Sequence, residues 1–168
     1  MPNIALWPSQ GAKRAALTIG ALALVTIAGA WIFQAFGYEP CELCLTQRYA
    51  YYAGVPLAAV AFALAASGAS RPLVRALFWL IALIFAANVV LAIYHSGVEA
   101  KLWQGPTACT GAIGATGGGN LLEQLAKVKV VRCDEVQLRV FGLTLANWNI
   151  LISAALTALA ARAGLARR

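Results

Sequence analysis

The sequence predicts an all-α membrane protein, a bundle of four transmembrane helices with both termini in the cytoplasm. Of its 168 residues, 61% are hydrophobic and 11% are charged, whereas a soluble domain is about half apolar and about a quarter charged. No Asp, Glu, Lys or Arg occurs in four stretches: 15–38, 49–70, 76–98 and 140–161. At about 1.5 Å of rise per residue, each stretch can cross a hydrocarbon core of roughly 30 Å as a helix, which satisfies its own backbone.

The first stretch follows Lys13 and Arg14, as the apolar core of a secretory signal peptide would. It is longer than the roughly 7–15 apolar residues of such a core. We therefore expect an uncleaved first helix over about 15–37. The remaining helices are expected over about 49–69, 76–97 and 141–161, with outer loops over about 38–48 and 98–140, all in a single membrane domain, 1–168.

The basic residues indicate the orientation of these helices. With a cytoplasmic N-terminus, the inner segments 1–14, 71–75 and 162–168 hold seven of the 13 Lys and Arg residues and no acid. Because Lys and Arg accumulate on the cytoplasmic side of membrane proteins, both termini are predicted to be cytoplasmic. The net charge of +7 is then a signal of orientation. Without a basic run among aromatic residues, it does not indicate nucleic-acid binding.

All four cysteines then fall in the two outer loops. Cys41 and Cys44 lie in the first loop, and Cys109 and Cys133 lie in the second. An even number of cysteines confined to one side is compatible with an oxidising, non-cytoplasmic compartment.

The second outer loop also contains an amphipathic pattern after Asn120, a residue that can cap a helix. Its apolar face would carry Leu121, Leu122, Leu125 and Val128, opposite Glu123 and Lys127. A short helix in the membrane interface fits this pattern. A loop helix packed on the bundle fits it equally, since so short a segment cannot separate the two.

The pair Cys41-x-x-Cys44 opens the second span, and Arg48 follows Cys44 by one helical turn. In a redox pair at this spacing, the pKa of one thiol can be lowered. The positive end of the helix and the guanidinium would both favour a thiolate at Cys44. At about 5 Å and an effective dielectric of about 20, the cation contributes roughly 3 kcal/mol. The alternative is an inert disulfide, with Arg48 reaching to the lipid headgroups.

Metal binding is not expected from the spacing of the cysteines. Cys109 and Cys133 are 24 residues apart and lack the second Cys-x-x-Cys or the histidine spacing of a zinc site. His95 is the one histidine of the chain.

The segments "PCELCLTQRYAYY", "YHSGVEAKLWQGPTACTG", "RCDE" and "FGLTLANWN" resemble the bacterial disulfide bond formation protein B (DsbB) family. The resemblance covers the whole chain, and its most specific part is the CxLCxxQR motif at the second span. It implies a protein-dithiol:quinone oxidoreductase of the bacterial inner membrane. Such a protein reoxidises a periplasmic, thioredoxin-fold dithiol oxidase (DsbA-like) and passes the electrons to ubiquinone or menaquinone.

The resemblance also implies the roles of individual residues. The partner attacks a Cys109–Cys133 disulfide at Cys109, and the released Cys133 attacks Cys41. Cys44 is left as a thiolate that faces the quinone, where Arg48 stabilises it.

His95, at the outer end of the third span, could donate a hydrogen bond to a quinone carbonyl or simply satisfy the end of a helix. The sequence leaves both roles open.

Two other hypotheses compete with the resemblance to the DsbB family. A vitamin K epoxide reductase-like enzyme also links thiols to quinone across four helices, but its Cys-x-x-Cys pair is expected near the last spans. A non-enzymatic tetraspan scaffold would use two disulfides or a metal for stability. The chain is expected to work as a monomer.

Overall fold

A computed structural model gives the fold for residues 9–106 and 132–166. Its elements are α1 (Ser9–Ala35), α2 (Glu42–Ala66), α3 (Arg71–Glu99), β1 (Arg139–Val140), β2 (Leu143–Thr144) and α4 (Leu145–Leu165). Within the described residues, four helices are long and apolar enough to cross a membrane. The predicted four-helix membrane fold is confirmed. The short helix expected near 120–128 lies outside the described residues, and the orientation of the bundle remains a prediction.

Local hydrogen bonds decide where the helices begin. Cys41 caps α2, because its Sγ accepts a hydrogen bond from the backbone N–H of Cys44 at 3.4 Å. In the same way the Thr144 hydroxyl accepts from the backbone N–H of Asn147 at 3.2 Å and caps α4. As a result α2 extends beyond the apolar span of about 49–69 and includes the polar turn that holds Cys44.

The core of the bundle is a column of apolar side chains between the helices. Phe78 and Phe85 of α3 are fully buried, together with Ile19 of α1 and Leu156 of α4. Other large apolar side chains, such as Val25, Leu83 and Val90, remain exposed on the outside of the bundle. In a membrane protein this outer surface contacts lipid, which is as apolar as leucine.

A short β-hairpin, whose two strands have two residues each, immediately precedes α4. The sequence analysis did not predict it. Its strands pair antiparallel, and the turn between them is formed by Phe141 and Gly142, both at positive φ (52° and 82°). These angles are those of the turn that matches the twist of a hairpin. Trp148 of α4 donates a hydrogen bond to the carbonyl of Val140 at 2.9 Å, which fixes the hairpin against the helix.

A long-range hydrogen bond joins the segment before α2 to the segment before the hairpin. Gln137 donates to the carbonyl oxygen of Glu39 at 2.9 Å. This contact holds the segment before the hairpin next to the start of α2, and so brings Cys133 near Cys41.

Candidate thiol site at the start of α2

Cys41 and Cys44 form a pair of free thiols whose sulfur atoms are 3.0 Å apart and hydrogen-bonded. The pair meets because Cys41 is the N-cap of α2 and Cys44 lies in the first turn, three residues later. Cys41 is buried, and Cys44 is half-buried. The site is therefore a reduced Cys-x-x-Cys at a helix N-terminus, where the helix dipole favours negative charge.

His95, which α3 brings to the pair, lies beside Cys41. Its Nε2 is 3.6 Å from Cys41 Sγ, and its Nδ1 is 2.9 Å from Nε2 of Gln47. Both His95 and Gln47 are buried. Because the amide of Gln47 is a donor to Nδ1, the imidazole proton is on Nε2, where it faces the sulfur of Cys41.

These contacts favour a thiolate at Cys41. The pKa of Cys41 is lowered to about 4, chiefly by the hydrogen bond with Cys44 and further by the hydrogen bond with His95, against the burial of the thiol, which raises it. Sequence analysis had placed the charge on Cys44. In the dithiol form, the neighbours instead stabilise the charge on Cys41.

Behind His95, a chain of polar side chains continues into the bundle. Gln47 accepts a hydrogen bond from the amide of Asn149, whose carbonyl oxygen accepts one from the Tyr51 hydroxyl. Ser153 donates to the same Asn149 oxygen at 3.2 Å and accepts from Asn88 at 3.0 Å. Polar groups inside an apolar bundle need such partners, and this chain fixes Gln47, and through it the ring of His95.

A cleft of about 540 Å³ opens beside the pair. This volume is in the range of small-molecule sites. Its walls come mainly from α1, α2, α4 and the segment around the hairpin, and they are largely apolar. Polar or reactive residues line it near the cysteine pair, among them Cys41, Cys44, Gln47, Arg48, Tyr51, His95, Glu99 and Asn149, and further polar residues line its rim, among them Glu39, Arg132, Glu135 and Gln137.

Arg48 lines the cleft, but its hydrogen bonds point to α1. It donates to Oε1 of Gln34 at 2.8 Å and to the carbonyl oxygen of Ala30 at 3.5 Å. Neither of these hydrogen bonds within the described residues is to Cys44. Two donors of the guanidinium are thus fixed by α1, and its other donors remain available to the cleft.

Cys133 lies in the same buried cluster as Cys41, together with Leu43 and Val98. It is disulfide-bonded and almost completely buried. Cys109 lies outside the described residues. Three of the four cysteines that the sequence analysis assigned to the site therefore lie at one end of the bundle.

A further contact of the site involves Glu99. Its Oε1 is 3.9 Å from Nε2 of His95, and its Oε2 is buried without a hydrogen-bond partner among the described residues. Within the same part of the chain, the ligand atoms of Cys41, Cys44 and His95 lie within 4.8 Å of one another. The sequence analysis had compared Cys41 and Cys44 only with the other two cysteines, and so did not weigh this set.

Sequence analysis missed the partners of His95 and Arg48. The sequence analysis assigned no role to Gln34, Gln47, Tyr51 or Asn149. One signal was present: each is a polar residue within a largely apolar helix, and such residues usually face a partner inside the bundle.

Four helices able to span a membrane, with a free Cys-x-x-Cys pair on a cleft between them, define a multi-pass membrane protein with a thiol redox site. The chain belongs to the DsbB family: the family described as Disulfide bond formation protein DsbB matches residues 12–163. It is accordingly an oxidoreductase of membrane disulfide-bond formation, as the resemblance implied.

One relative is an uncharacterized protein, RP370, of Rickettsia prowazekii (strain Madrid E). It is 22% identical over 141 residues, which cover 82% of this chain and 78% of the relative. No solved structure matches the chain.

Proposed function

We propose that this protein is a protein-dithiol:quinone oxidoreductase of the bacterial inner membrane. It reoxidises a DsbA-like, thioredoxin-fold dithiol oxidase in the periplasm and passes the electrons to ubiquinone or menaquinone. The observation that carries the proposal is the reduced Cys41–Cys44 pair on the wall of a cleft between membrane-spanning helices. A lipid-soluble acceptor can reach such a cleft from the bilayer. The excess of Lys and Arg in the opposite loops supports a periplasmic position for the pair.

The proposed relay begins at the second cysteine pair. We propose Cys109, the remaining cysteine of the sequence, as the disulfide partner of Cys133. The thiolate of the partner protein attacks Cys109 and forms a mixed disulfide, and Cys133 leaves as a thiolate. The second thiol of the partner later resolves this mixed disulfide. The partner is then a disulfide and has lost two electrons and two protons.

Cys133 then transfers the electrons to the first pair. In the oxidised enzyme Cys41 and Cys44 are disulfide-bonded, and the Cys133 thiolate attacks Cys41, which lies in the same buried cluster. This attack breaks the Cys41–Cys44 bond and releases Cys44 as a thiolate on the wall of the cleft. While Cys41 is joined to Cys133, the negative charge of the pair can reside only on Cys44. When the partner's second thiol has resolved the mixed disulfide, the freed Cys109 attacks Cys133, which restores the Cys109–Cys133 disulfide and releases Cys41 as a thiolate. Cys44 takes up a proton released from the partner, and the pair is then the fully reduced form, a dithiol with its charge on Cys41.

The cleft fits a quinone in size and polarity. A bound quinone supplies the acceptor for two electrons and two protons. The largely apolar walls suit its ring and tail, and Arg48 and His95 supply donors for its oxygens. Arg48 has donors left after its bonds to α1. His95 also lines the cleft, and because its Nδ1 is occupied by Gln47, any hydrogen bond that it donates to the quinone would share Nε2 with the sulfur of Cys41.

Purified protein, a DsbA-like protein in its dithiol form and a soluble ubiquinone analogue test the proposal. We expect loss of partner thiols and reduction of quinone in a ratio of two thiols to one quinone. Cys133→Ala should stop turnover, because the Cys109–Cys133 disulfide that the partner attacks is lost. A partner whose second cysteine is replaced by Ala should instead remain covalently attached to the unaltered protein through Cys109, because the thiol that resolves the mixed disulfide is lost. Partner oxidation that continues without quinone under anaerobic conditions, or a trap through a cysteine other than Cys109, would contradict the relay.

A further inference from the structure

The donor atoms around the reduced pair have nearly the separations that a zinc ion requires. Tetrahedral zinc with bonds of about 2.3 Å to sulfur and about 2.0 Å to nitrogen places its sulfurs roughly 3.8 Å apart, and sulfur and nitrogen roughly 3.5 Å apart. Cys41 Sγ and His95 Nε2 are 3.6 Å apart, and the two sulfurs are 3.0 Å apart. The two sulfurs must separate, by a turn of Cys44 toward the cleft that it lines. The oxygens of Glu99 are not among the donor atoms that lie within 4.8 Å of one another, so they must move closer as well.

Glu99 provides a second, independent observation. It follows His95 by one helical turn, its Oε1 is 3.9 Å from His95 Nε2, and its side chain is 11% exposed. Its Oε2 is buried and lacks a hydrogen-bond partner among the described residues. A buried carboxylate oxygen without a partner is costly. A cation bound between the sulfurs and the imidazole would satisfy it.

We infer that Cys41, Cys44, His95 and Glu99 form a zinc site that exists only while the cysteine pair is reduced. Two thiolates, an imidazole and a carboxylate are a ligand set typical of Zn²⁺, whereas Cu⁺ favours sites of sulfur alone. Zinc takes up the Cys41 thiolate and displaces the remaining thiol proton from Cys44. The Cys41–Cys44 disulfide offers no thiolate, so oxidation of the pair abolishes the site.

Gln47 has a specific part in this inference. To bind zinc through Nε2, the imidazole must carry its proton on Nδ1, 2.9 Å from the Gln47 amide. A half-turn of the amide, which gives up the hydrogen bond from Asn149, presents its oxygen to this proton and supports the metal-bound ring, as acceptors behind zinc-bound histidines do. A carboxylate at this position would need no rotation, so Gln47→Glu should bind zinc more tightly.

Zinc binding would regulate the reaction under "Proposed function", and this consequence rests on that function. A zinc-bound pair has no free thiolate with which to reduce a quinone. Zinc should therefore inhibit quinone reduction by the reduced enzyme, and a chelator should restore it. Zinc binding itself is measured without quinone, so it can be established or refuted whether or not the protein reduces quinone.

The test uses the full chain in detergent with Cys109→Ala and Cys133→Ala, so that Cys41 and Cys44 are the only thiols. The protein is reduced, desalted anaerobically and titrated with Zn²⁺ against a chromophoric chelator. We expect one zinc per chain, and none after oxidation of the pair with diamide. Cobalt in place of zinc should give a thiolate-to-cobalt charge-transfer band that disappears on oxidation.

Variants separate the inferred site from adventitious binding to two thiols. Glu99→Gln and His95→Asn should each lower zinc affinity at least about tenfold, and Gln47→Glu should raise it. Glu42→Gln is the matched control, an exposed carboxylate next to Cys41 that should have no effect. Unchanged affinity in Glu99→Gln, or equal binding by the oxidised pair, would overturn the inference. If His95→Asn does not fold, Glu99→Gln and the oxidation comparison decide.

Discussion

At the scale of single residues, the charge of the reduced pair is set by the donors around one sulfur. Cys41 Sγ meets the Cys44 thiol at 3.0 Å, the Cys44 backbone N–H at 3.4 Å and His95 Nε2 at 3.6 Å. Hydrogen bonds to a charged group each contribute about 1.5–3 kcal/mol. Together they outweigh the burial of Cys41, which opposes ionisation.

The ionisation of Cys41 gives a prediction about pH. The pKa of Cys41 is lowered to about 4, so the dithiol form should keep one thiolate as the pH falls from neutral, and lose it only near that value. His95→Ala removes a donor, so its thiolate should be lost at a higher pH. The ultraviolet absorbance of the thiolate, followed during acid titration of the reduced protein, measures both midpoints.

Ile93→Val, an exposed apolar change on the same helix, serves as the control and should titrate like the unaltered protein. Identical midpoints for His95→Ala and the unaltered protein would show that His95 does not stabilise the charge.

Arg48 gives a prediction about the cofactor. Arg48→His should raise the KM for quinone about tenfold or more, because a charged hydrogen-bond donor is lost from the cleft. Gln34→Leu should have a smaller effect, about fivefold, because it only frees the guanidinium from its 2.8 Å anchor on α1.

Steady-state quinone reduction measures these constants, with Tyr49→Phe, an exposed change on the next residue of α2, as the control. An unchanged KM in Arg48→His would exclude Arg48 from the quinone site.

At the scale of helices, close packing between α2 and α3 holds His95 against Cys41. Gly54 of α2 faces the ring of Phe85, and a Cβ at Gly54 would lie 2.6 Å from Cζ of that ring. The small residue lets the two helices approach closely, as is common in membranes. A shift between these helices would separate the pair from its histidine.

Gly54→Ala should therefore destabilise the bundle by about 1–3 kcal/mol, the usual cost of overpacking. Thermal unfolding in detergent measures the change, and Phe85→Leu in the same chain should restore part of the loss. Gly29→Ala is the control, since a Cβ there meets nothing within 4 Å. Equal unfolding temperatures for Gly54→Ala and the unaltered protein would refute the contact.

The helices could be predicted from the sequence, but their ends could not. Long charge-free stretches require spanning helices because lipid leaves the backbone no other partner. The start of α2 depends instead on a hydrogen bond to the Cys41 sulfur, and the hairpin depends on two residues at positive φ. Strands of two residues are too short for any periodic signal.

The site, too, could be predicted from the sequence only in part. Cys41 and Cys44 could be recognised from their spacing, since a single helix turn brings them together. The meeting of His95, Gln47 and Asn149 depends on the rotation of three helices about their axes. One sequence contains no information that fixes these rotations, so the network behind His95 became visible only in the structure.

At the scale of the whole molecule, the fold places the thiol pair at one end of the bundle, beside the cleft between its helices. The start of α2 holds the pair, and the hydrogen bond from Gln137 to Glu39 holds the Cys133 segment over it. The cleft extends from the pair between α1 and α4 toward the apolar surface of the bundle. In the proposed function, a soluble dithiol and a lipid-soluble acceptor would react on different sides of this cysteine pair.

A single-turnover experiment tests most directly whether electrons pass from the reduced pair to a quinone. The Cys109→Ala/Cys133→Ala protein, reduced and then freed of reductant without oxygen, is mixed with a stoichiometric ubiquinone analogue. We expect one quinone reduced per chain with the loss of two thiols, and no reaction in the same protein with Cys44→Ser. If the quinone remains oxidised, or if Cys44→Ser reduces it equally, the cysteine pair is not the electron donor and the proposed function is wrong.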